Sequence, residues 1–458
     1  MAPEISLHNL KSVYFLGIGG IGMSALARWF LFNGKIVRGY DKTPTQLTNS
    51  LEKEGMIIHF KDGIDNIPYE ILESPKEHLI IYTPAIPKEH IEKNYFIEKE
   101  IPIYKRSEIL GWITKEIPTI AIGGTHGKTS TSSMLTHILK NAGKNVTAFL
   151  GGITQNYGSN FIANESPENM IAVVEADEYD RSFLRLFPKH IGILSTDADH
   201  LDIYGKEEEV KKSFQDFVHN IQEEGLLAYK EGLELNYAGE KRSFGIDKGD
   251  HRAENIRIKD HRMVYDWVFP EGRVNEIRIQ NPGYHNIENA LAASILALTQ
   301  GLKPESIKNG IETFRGVKRR FEYILEKEEM VYIDDYAHHP TEIEAIIRSI
   351  KSLYPGKKLT TVFQPHLFSR TKDFAEGFAN SLSLSDELYL LEIYPARELP
   401  IPGIHSQWLF EKIHLKNKFL IEKEQLIGQL KSTKPTLLLT IGAGDIDTLV
   451  EPIRKEFS

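Results

Sequence analysis

Residues 119–143 decide the fold of this chain, and they read TIAIGGTHGKTSTSSMLTHILKNAG. A short apolar run of strand type leads into a glycine-rich turn, and the turn leads into a helical pattern that stops before Gly143. This order is typical of α/β domains with a parallel sheet. Backbone amides in such a turn, next to a helix N-terminus, bind phosphate groups. The stretch therefore predicts a phosphate-binding loop at residues 124–130.

The loop has the order G-x-x-x-G-K-T, which is one residue shorter than the general G-x-x-x-x-G-K pattern because Ile122 stands where the first glycine is expected. In the general pattern the lysine contacts the β and γ phosphates, and the hydroxyl after it binds magnesium. Lys128 and Thr129 take these places. A surface lysine at an ordinary helix start is the alternative, but strand, turn and helix all favour the phosphate loop.

Composition and charge restrict the class of protein. The chain has 458 residues, 41% hydrophobic and 26% charged, which is typical of a globular protein of about three domains. The net charge of −9 argues against broad electrostatic binding to nucleic acid or acidic membranes. Cysteine is absent, so a metal ion must be held by oxygen or imidazole, which favours magnesium. No apolar run approaches the roughly 20 residues of a membrane span, and we expect a cytoplasmic enzyme.

The same strand, turn and helix pattern occurs near both ends of the chain. The turn GIGGIG at residues 17–22 follows a strand, and Asp41 ends the next strand, 19 residues after Gly22. Such a turn binds a dinucleotide or a nucleotide diphosphate, although a tight turn without a ligand is the alternative. We predict a three-domain α/β protein, with Rossmann-like domains at 1–107 and 317–458 and a central phosphate-loop domain at 108–316. Short alternating strands between residues 226 and 280 predict an antiparallel extension of the central sheet.

Carboxylates are crowded after a strand of the central domain. Glu175 directly follows four apolar residues, and three more carboxylates lie within the next five positions. Such crowding is costly without a cation, and Glu175 lies where phosphate-binding folds hold magnesium. A solvated acidic loop is the alternative. His200, after the following strand, is a candidate metal ligand, although an isolated histidine is more often structural.

Polar blocks later in the chain carry further candidates. Asn286 and Asn289 lie at a helix start, where they can bind an adenine edge or cap the helix. RRFE at residues 319–322 offers an arginine to phosphate, or is a surface pair. DDYAHHP at 334–340 and QPHLFSRT at 364–371 each follow a predicted strand. At that sheet edge their histidines and Arg370 can hold a small anionic substrate.

Taken together, the ordered blocks resemble the Mur ligases. The blocks are GIGGIGMSALA, GTHGKTST, EADEYD, DHLD, HNIENALAA, RRFE, DDYAHHPTE and FQPHLFSRT, and they span essentially the whole chain. The short phosphate loop is also the form that this family uses. The resemblance implies a ligase that uses ATP and Mg²⁺. Within the family the blocks are most similar to the branch that joins L-alanine to the lactyl carboxylate of UDP-N-acetylmuramate, through an acyl phosphate, in peptidoglycan synthesis.

The resemblance also implies roles for individual residues. The catalytic residues correspond to Lys128, Glu175, His200 and Arg320, and the magnesium ligands to Thr129, Glu175 and His200. The ATP site corresponds to Gly124, Thr125, His126, Gly127, Lys128, Thr129, Ser130, Asn286, Asn289, Arg320 and Asp335. The UDP-sugar site corresponds to Gly17, Gly19, Gly20, Gly22, Asp41, Thr83, Ala85, Ile86, His126 and Ser182. The amino-acid pocket corresponds to Tyr336, His338, His366 and Arg370.

One position departs from several sister ligases, which place a carbamylated lysine fifteen residues after the equivalent of His200 to bridge a second magnesium ion. This chain has Gln215 at that position. The ligands of a second magnesium ion are therefore left open by the resemblance.

Three other functions share part of this pattern of motifs. An NAD-dependent oxidoreductase fits the turn at 17–22 alone and leaves the phosphate loop and acidic cluster unexplained. A nucleotide-driven switch has no use for the histidine and arginine blocks. A murein tripeptide ligase of cell-wall recycling shares the early blocks, whereas residues 363–371 and 394–398 favour the alanine branch. We expect UDP-N-acetylmuramate, L-alanine and ATP as partners, no nucleic acid, no membrane, and a monomer or homodimer.

Overall fold

The computed structural model describes residues 7–164, 169–197, 207–396 and 398–458. The predicted site residue His200 lies outside these ranges. The chain forms two compact units. The first contains residues up to 254 together with 267–274 and 288–314, and the second contains 255–266, 275–287 and 315–458. Three mainly parallel sheets confirm the predicted α/β class.

The N-terminal sheet consists of five strands. They are β1 Ser12–Leu16, β2 Ile36–Tyr40, β3 Ile57–His59, β4 His78–Tyr82 and β5 Ile103–Lys105. All pairs are parallel, in the order β3-β2-β1-β4-β5. The helices are α1 Ile21–Phe32, α2 Gln46–Lys53, α3 Tyr69–Glu73, α4 Ile91–Glu98 and α5 Arg106–Glu116. Because α5 runs across residue 107, the first predicted domain boundary falls inside a helix, and the domain limits stay predictions.

A cluster of buried polar side chains lies beside β1. The Tyr14 hydroxyl donates to Glu92 Oε2 at 2.7 Å and lies 2.8 Å from His59 Nε2. The Gly63 amide donates to Glu92 Oε1 at 3.2 Å. Glu92 is fully buried, and burial raises its pKa to about 7. Folding therefore favours the protonated form of this carboxyl group.

The Glu92→Gln variant should make the stability of the protein less dependent on pH. A carboxyl group with a raised folded pKa contributes stability below its unfolded pKa of 4.5 and loses it as pH rises through about 7. An amide does not titrate. Between about pH 5 and pH 8, the free energy of unfolding of the variant should therefore rise by about 2 kcal/mol relative to that of wild type. Calorimetric melting of both proteins measures this difference, and a difference that does not change with pH would contradict the raised pKa.

The central sheet has ten strands. They are β6 Thr119–Gly123, β7 Val146–Thr154, β8 Ser159–Ile162, β9 Ile171–Glu175, β10 His190–Ile193, β11 Leu226–Lys230, β12 Glu240–Ile246, β13 His251–Lys259, β14 Arg262–Phe269 and β15 Gly272–Ile279. Their order is β15-β14-β13-β12-β11-β10-β6-β9-β7-β8. The helices are α6 Lys128–Asn141, α7 Glu207–Val218, α8 Tyr284–Leu298 and α9 Pro304–Thr313. Since β6 lies in parallel between β9 and β10, the residues that follow these three strands meet at one sheet edge.

The prediction of an antiparallel extension after residue 226 is wrong for its first strands. Strand β11 pairs in parallel with β10 and β12, and β12 pairs in parallel with β13. Residues 231–239, which connect β11 to β12, give the physical reason for the parallel pairing of these two strands. Its Tyr237 hydroxyl donates to the Gly225 carbonyl at 3.0 Å, just before β11 begins. The chain thus returns to the start of β11 before β12 starts, as parallel pairing requires.

The sheet of the second unit has six strands. They are β16 Glu322–Glu326, β17 Val331–Asp335, β18 Leu359–Phe363, β19 Glu387–Leu390, β20 Lys418–Leu420 and β21 Leu437–Ile441, in the order β16-β17-β21-β18-β19-β20. The pair β16 and β17 is antiparallel, and the other four pairs are parallel. The helices are α10 Pro340–Leu353, α11 Phe368–Asp373, α12 Ala375–Leu382, α13 Ser406–Lys412, α14 Lys423–Thr433 and α15 Val450–Phe457. Among the helices of the described ranges, none is long and apolar enough to cross a lipid bilayer.

Candidate active site

The phosphate loop lies between β6 and α6 and depends on two glycines. Gly124 has φ +138° and Gly127 has φ +83°, and L side chains rarely adopt such angles. A Cβ atom at Gly124 would also lie 2.9 Å from the Ser195 backbone nitrogen. Gly127 is the N-cap residue of α6. The first amides of α6, which have no acceptor within the helix, are therefore next to the loop, where an anion can bind.

Lys128 is held by the loop and by an acid from the neighbouring segment. Its Nζ donates to the Gly124 carbonyl at 2.7 Å and forms an ion pair with Glu178 Oε2 at 2.7 Å. Glu178 is only 1% exposed. A buried pair of this kind fixes both side chains, so the ammonium group is kept beside the loop at the start of α6.

Glu175 and Thr129 lie together beside the loop. The Thr129 hydroxyl donates to Glu175 Oε1 at 3.0 Å, and the Gly151 amide donates to Glu175 Oε2 at 2.9 Å. Burial raises the pKa of Glu175, while the Lys128 charge and these hydrogen bonds act in the opposite direction. Magnesium at a nucleotide site is usually held by one or two carboxylates together with substrate phosphates and water. The adjacent hydroxyl and carboxylate therefore fit a magnesium ion.

Beyond Thr129 and Glu175, the described residues offer no larger group of metal ligands, and Gln215 has a structural role. Within the described part of the chain, no three His, Asp or Glu side chains are grouped to hold a metal ion. Gln215 has a structural place: its amide donates to the Asn236 carbonyl at 2.8 Å and lies 3.0 Å from His219 Nε2. Its oxygen accepts the Asn236 amide at 2.8 Å. Gln215 therefore connects α7 to the chain before β12.

A cavity of about 330 Å³ joins the N-terminal glycine turn to the acidic residues of the central sheet. Its lining includes Gly20, Gly22, Arg106, Glu175 and Asp177, together with apolar side chains from α1 and β7. A smaller space beside it is lined by Arg106 and Ser182 among others. The fold thus brings three of the predicted UDP-sugar residues, Gly20, Gly22 and Thr83, to the same cavity as the predicted magnesium ligand Glu175.

The glycine turn is closed by hydrogen bonds to the end of β2. The Gly17 and Ile18 amides donate to the Tyr40 carbonyl at 2.8 and 3.0 Å. Asp41 Oδ2 accepts the Gly19 amide at 2.7 Å. Asp41 therefore stabilises the turn itself, and its predicted contact with a ribose stays a prediction.

The loop after β4 packs against this turn. Gly17 has φ +89°, and a Cβ atom there would lie 2.6 Å from Thr83 Cγ2. The Ile86 amide donates to the Thr83 carbonyl at 3.1 Å, and the Ala85 amide donates to Thr83 Oγ1 at 3.4 Å. The predicted residues Thr83, Ala85 and Ile86 therefore form a compact turn next to the glycines.

Asn286 and Asn289 are both buried inside α8. Because α8 begins at Tyr284, neither asparagine is its cap residue. The Asn286 amide donates to the Pro282 carbonyl at 3.0 Å. A Cβ atom at Gly127 would lie 2.5 Å from Asn289 Oδ1, so Asn289 lies against the phosphate loop. The structure therefore removes the capping alternative and leaves the adenine role as a prediction.

The adjacent arginines 319 and 320 have different surroundings. Arg319 Nε donates to the buried Asp334 Oδ2 at 3.2 Å, and its Nη2 donates to the Gly442 carbonyl. Arg320 is exposed, and its guanidinium lies 5.5 Å from the Tyr336 ring centroid. Arg319 thus supports the sheet edge, while Arg320 is accessible to a ligand.

Asp335 ends β17 and is bound by backbone amides. The Phe321 amide donates to its Oδ2 at 2.6 Å, and the Ala337 amide donates to its Oδ1 at 2.7 Å. Burial raises the pKa of Asp335, and the Arg320 charge opposes that shift. These contacts order the segment that leads to the predicted amino-acid pocket.

The predicted amino-acid pocket is assembled from the segments that follow β17 and β18. The rings of Tyr336 and His338 lie 5.2 Å apart, and Arg370 Nη1 lies 3.3 Å from His366 Nδ1. Burial lowers the pKa of both histidines, and the Arg370 charge lowers both further, His366 to about 4. The Arg370 charge thus acts on both histidines, and the binding of one amino acid by these four residues stays a prediction.

Three residues contribute to these sites without having been assigned a role from the sequence. They are Arg106 in the cavity, Glu178 beside Lys128, and Ser195, whose Oγ lies 2.8 Å from Thr125 Oγ1 and accepts the His126 amide at 3.1 Å. Arg106 and Ser195 follow strands β5 and β10 closely, so the strand-end rule could have found them. No local pattern connects Glu178 to Lys128, because the two are 50 residues apart.

The chain is similar to one protein family and to known proteins along essentially its whole length. It matches the Mur ligase family, catalytic domain, at residues 12–117, the Mur ligase middle domain at 122–297, and the Mur ligase, glutamate ligase domain at 319–444. A UDP-N-acetylmuramate–L-alanine ligase from Flavobacterium psychrophilum is 50% identical over 457 residues, covering 99% of each chain. The ligase of the same name from Flavobacterium johnsoniae is 48% identical, covering 98% of this chain and 99% of that protein.

A solved structure is also similar over the full length. The crystal structure of UDP-N-acetylmuramate-alanine ligase from Thermotoga maritima matches with a TM-score of 0.84 and 28% identity, covering 97% of this chain and 99% of that chain. The family matches and the full-length identities agree with the order of motifs and with the phosphate loop described above. On these grounds the chain belongs to the Mur ligase family.

Proposed function

We propose that this protein joins L-alanine to the lactyl carboxylate of UDP-N-acetylmuramate, with ATP as the energy source. The main support is the position of Glu175, which contacts the phosphate loop and also lines the cavity beside the glycine turn. Its carboxylate accepts a hydrogen bond from the Thr129 hydroxyl of the phosphate loop, and the same residue lines the cavity that begins at the glycine turn. A nucleotide bound at the loop and a UDP-sugar in the cavity would therefore meet at this residue. The names of the full-length relatives support the choice of substrates.

The chemistry follows from the poor reactivity of a carboxylate toward amines, since direct attack would have to expel an oxide. An oxygen of the lactyl carboxylate attacks the γ phosphorus of ATP, and ADP leaves. The alanine nitrogen then attacks the acyl carbon, and phosphate leaves. Lys128 and Arg320 offset the negative charge that moves during the first step. The loop residues 124–130 bind the phosphates, Asn286 and Asn289 the adenine, and Asp335 the ribose.

Magnesium, when bound, offsets charge on the β and γ phosphate oxygens. The Thr129 hydroxyl and the Glu175 carboxylate would hold it, together with His200. The Thr129 hydroxyl donates a hydrogen bond to Glu175 Oε1 at 3.0 Å, which holds the two groups side by side.

Arg106 supplies positive charge to the proposed UDP-sugar site. A Cβ atom at Gly22 would lie 2.8 Å from Arg106 Nη1, so the guanidinium is directly beside the glycine turn. Its Nη2 lies 3.6 Å from Asp177 Oδ2, which orients it toward the cavity residues. A guanidinium group gives paired hydrogen bonds to phosphate or carboxylate oxygens. Arg106 therefore fits the diphosphate or the lactyl carboxylate of the substrate.

Arg106→Ala should raise the KM for UDP-N-acetylmuramate by about 30-fold, since it removes a charge-assisted interaction of about 2 kcal/mol. The KM for ATP should change little, because Arg106 does not contact the phosphate loop. Steady-state kinetics with each substrate varied in turn measures both values. Arg185→Ala is the matched control, since Arg185 is exposed and pairs with Glu108 at 2.9 Å outside the cavity. Equal effects on the two KM values would remove Arg106 from the UDP-sugar site.

The alternative function, attachment of a murein tripeptide in cell-wall recycling, differs in the nucleophile. The tested mixture contains the protein, ATP, magnesium, UDP-N-acetylmuramate and either L-alanine or the tripeptide, and the release of ADP is measured. We expect ADP release with L-alanine. Release with the tripeptide alone would overturn the proposed function.

We also propose a cytoplasmic location and a monomer or homodimer. The soluble nucleotide substrates support the location. Cell fractionation tests the first proposal, and light scattering on purified protein tests the second.

A further inference from the structure

The two histidines of the amino-acid pocket have opposite hydrogen-bonding arrangements. His338 Nδ1 lies 3.0 Å from the Tyr336 carbonyl oxygen. A carbonyl oxygen only accepts, so Nδ1 carries the hydrogen, and the lone pair of the neutral ring is on Nε2. Glu342 Oε2 lies 3.6 Å from the same Nδ1 and accepts the His338 amide at 3.1 Å. His338 thus has an unprotonated Nε2 and a carboxylate behind the ring.

His366 has the reverse arrangement. Its Nδ1 lies 3.3 Å from Arg370 Nη1, and a guanidinium group only donates. The Nδ1 lone pair is therefore occupied, and the ring hydrogen is on Nε2. The ring stacks on Tyr394 with centroids 5.8 Å apart, and the two residues form an isolated parallel β-bridge. Burial, with the Arg370 charge, lowers the pKa of His366 to about 4, so the ring stays neutral at pH 7.

We infer that His338 Nε2 is the base that takes a proton from the ammonium group of the incoming amino acid, and that His366 is a neutral positioning residue for Arg370. The inference rests on the proposed function and deepens it. An amino acid arrives as a zwitterion, and its nitrogen has no lone pair until one proton is removed. Arg370, held by His366, is the group that suits the carboxylate of the same amino acid.

The ligation step removes two protons from the ammonium nitrogen, one before its attack on the acyl carbon and one after it. One N–H bond of the ammonium group breaks and an Nε2–H bond forms on His338, which leaves a neutral amine and an imidazolium. The amine attacks the acyl carbon, and the bond from that carbon to the phosphate oxygen breaks. A second nitrogen proton leaves with the phosphate, so the amide keeps one hydrogen. The imidazolium, stabilised by Glu342, then gives its proton to water.

The charges that face His338 set the pH range in which it works. Burial lowers its pKa, as do the Arg370 and Arg320 charges, while Glu342 and the Tyr336 carbonyl raise it, and the net direction is downward. His366 adds no charge when it is neutral. The rate should fall at low pH because His338 becomes protonated, and this fall, the acidic limb of the pH profile, should lie below 6.5, the ordinary pKa of histidine. Removing the Glu342 charge should move that limb to still lower pH.

The test compares two nucleophiles that react with the acyl phosphate formed by the full-length enzyme from UDP-N-acetylmuramate and ATP. L-Alanine must lose a proton before it attacks, whereas hydroxylamine is unprotonated at neutral pH. His338→Gln should lower kcat with L-alanine about 100-fold and remove the acidic limb, while hydroxamate formation stays within about twofold of wild type. Retained hydroxamate formation also shows that the variant is folded.

Two further variants separate the base from the positioning residues. His366→Gln should raise the KM for L-alanine about tenfold, through loss of about one hydrogen bond, and should keep the acidic limb. Glu342→Gln should keep part of the activity and shift the acidic limb to lower pH. The inference would be overturned if His338→Gln lowered the formation of the alanine product and of the hydroxamate equally. It would also be overturned if the acidic limb disappeared with His366→Gln and persisted with His338→Gln. If wild-type enzyme forms neither hydroxamate nor alanine product, the proposed function fails, and the inference fails with it.

Discussion

Lys128→Ala is expected to lower alanine-dependent phosphate release at least about 1,000-fold, because the ammonium group offsets charge on the γ phosphate. Its position supports this role, since Nζ lies at the start of α6 and bonds the Gly124 carbonyl within the loop. The measurement is the release of phosphate at saturating UDP-N-acetylmuramate, ATP and L-alanine. Activity near the wild-type rate would contradict the assignment of the phosphate loop.

The control must separate a lost charge from a lost fold. Lys128→Ala leaves Glu178 buried without its cation, which is destabilising. The double variant Lys128→Ala/Glu178→Gln removes the unpaired charge, so it should recover much of the melting temperature and none of the activity. Lys140→Ala changes a lysine at the far end of the same helix, where its Nζ bonds Asn164 Oδ1 at 2.9 Å. That variant should keep the wild-type rate.

Arg320→Ala should lower kcat about 1,000-fold, since an arginine that contacts the transferring phosphoryl group stabilises the charge of the transition state. Its melting temperature should change little, because Arg320 is exposed and its guanidinium contacts the face of the Tyr336 ring. Single-turnover formation of ADP measures the first step directly. Lys318→Ala, which removes an exposed cation two residues away, is the matched control and should keep the wild-type rate.

Substitution of the neighbouring Arg319 should lower the stability of the protein, whereas substitution of Arg320 should lower kcat. Arg319→Ala removes the cation beside the buried Asp334, which we expect to lower the free energy of unfolding by about 3 kcal/mol. Denaturant melts of both arginine variants make the comparison. If Arg320→Ala were the destabilised variant and Arg319→Ala the one that lost only catalysis, the assignment of the two arginines would be reversed.

Local sequence patterns predicted the strands and helices well. The strand, glycine-rich turn and helix expected within residues 119–143 are all present, and α6 ends at Asn141, before Gly143 as predicted. These features depend on neighbouring residues, since an apolar run forms a strand and a glycine ends a helix whatever lies elsewhere in the chain. The parallel pairing of β11 with β12 was missed because it depends on the path of residues 231–239, which turns back through a contact of Tyr237.

The sequence by itself determined the order of the glycine turn, the phosphate loop and the acidic cluster, and with it the family. Each of these depends on the spacing of a few consecutive residues. Only the tertiary structure decided which arginine supports the sheet and which is accessible. Adjacent residues such as Arg319 and Arg320 differ through partners from distant strands, and folding alone brings those partners within hydrogen-bond distance.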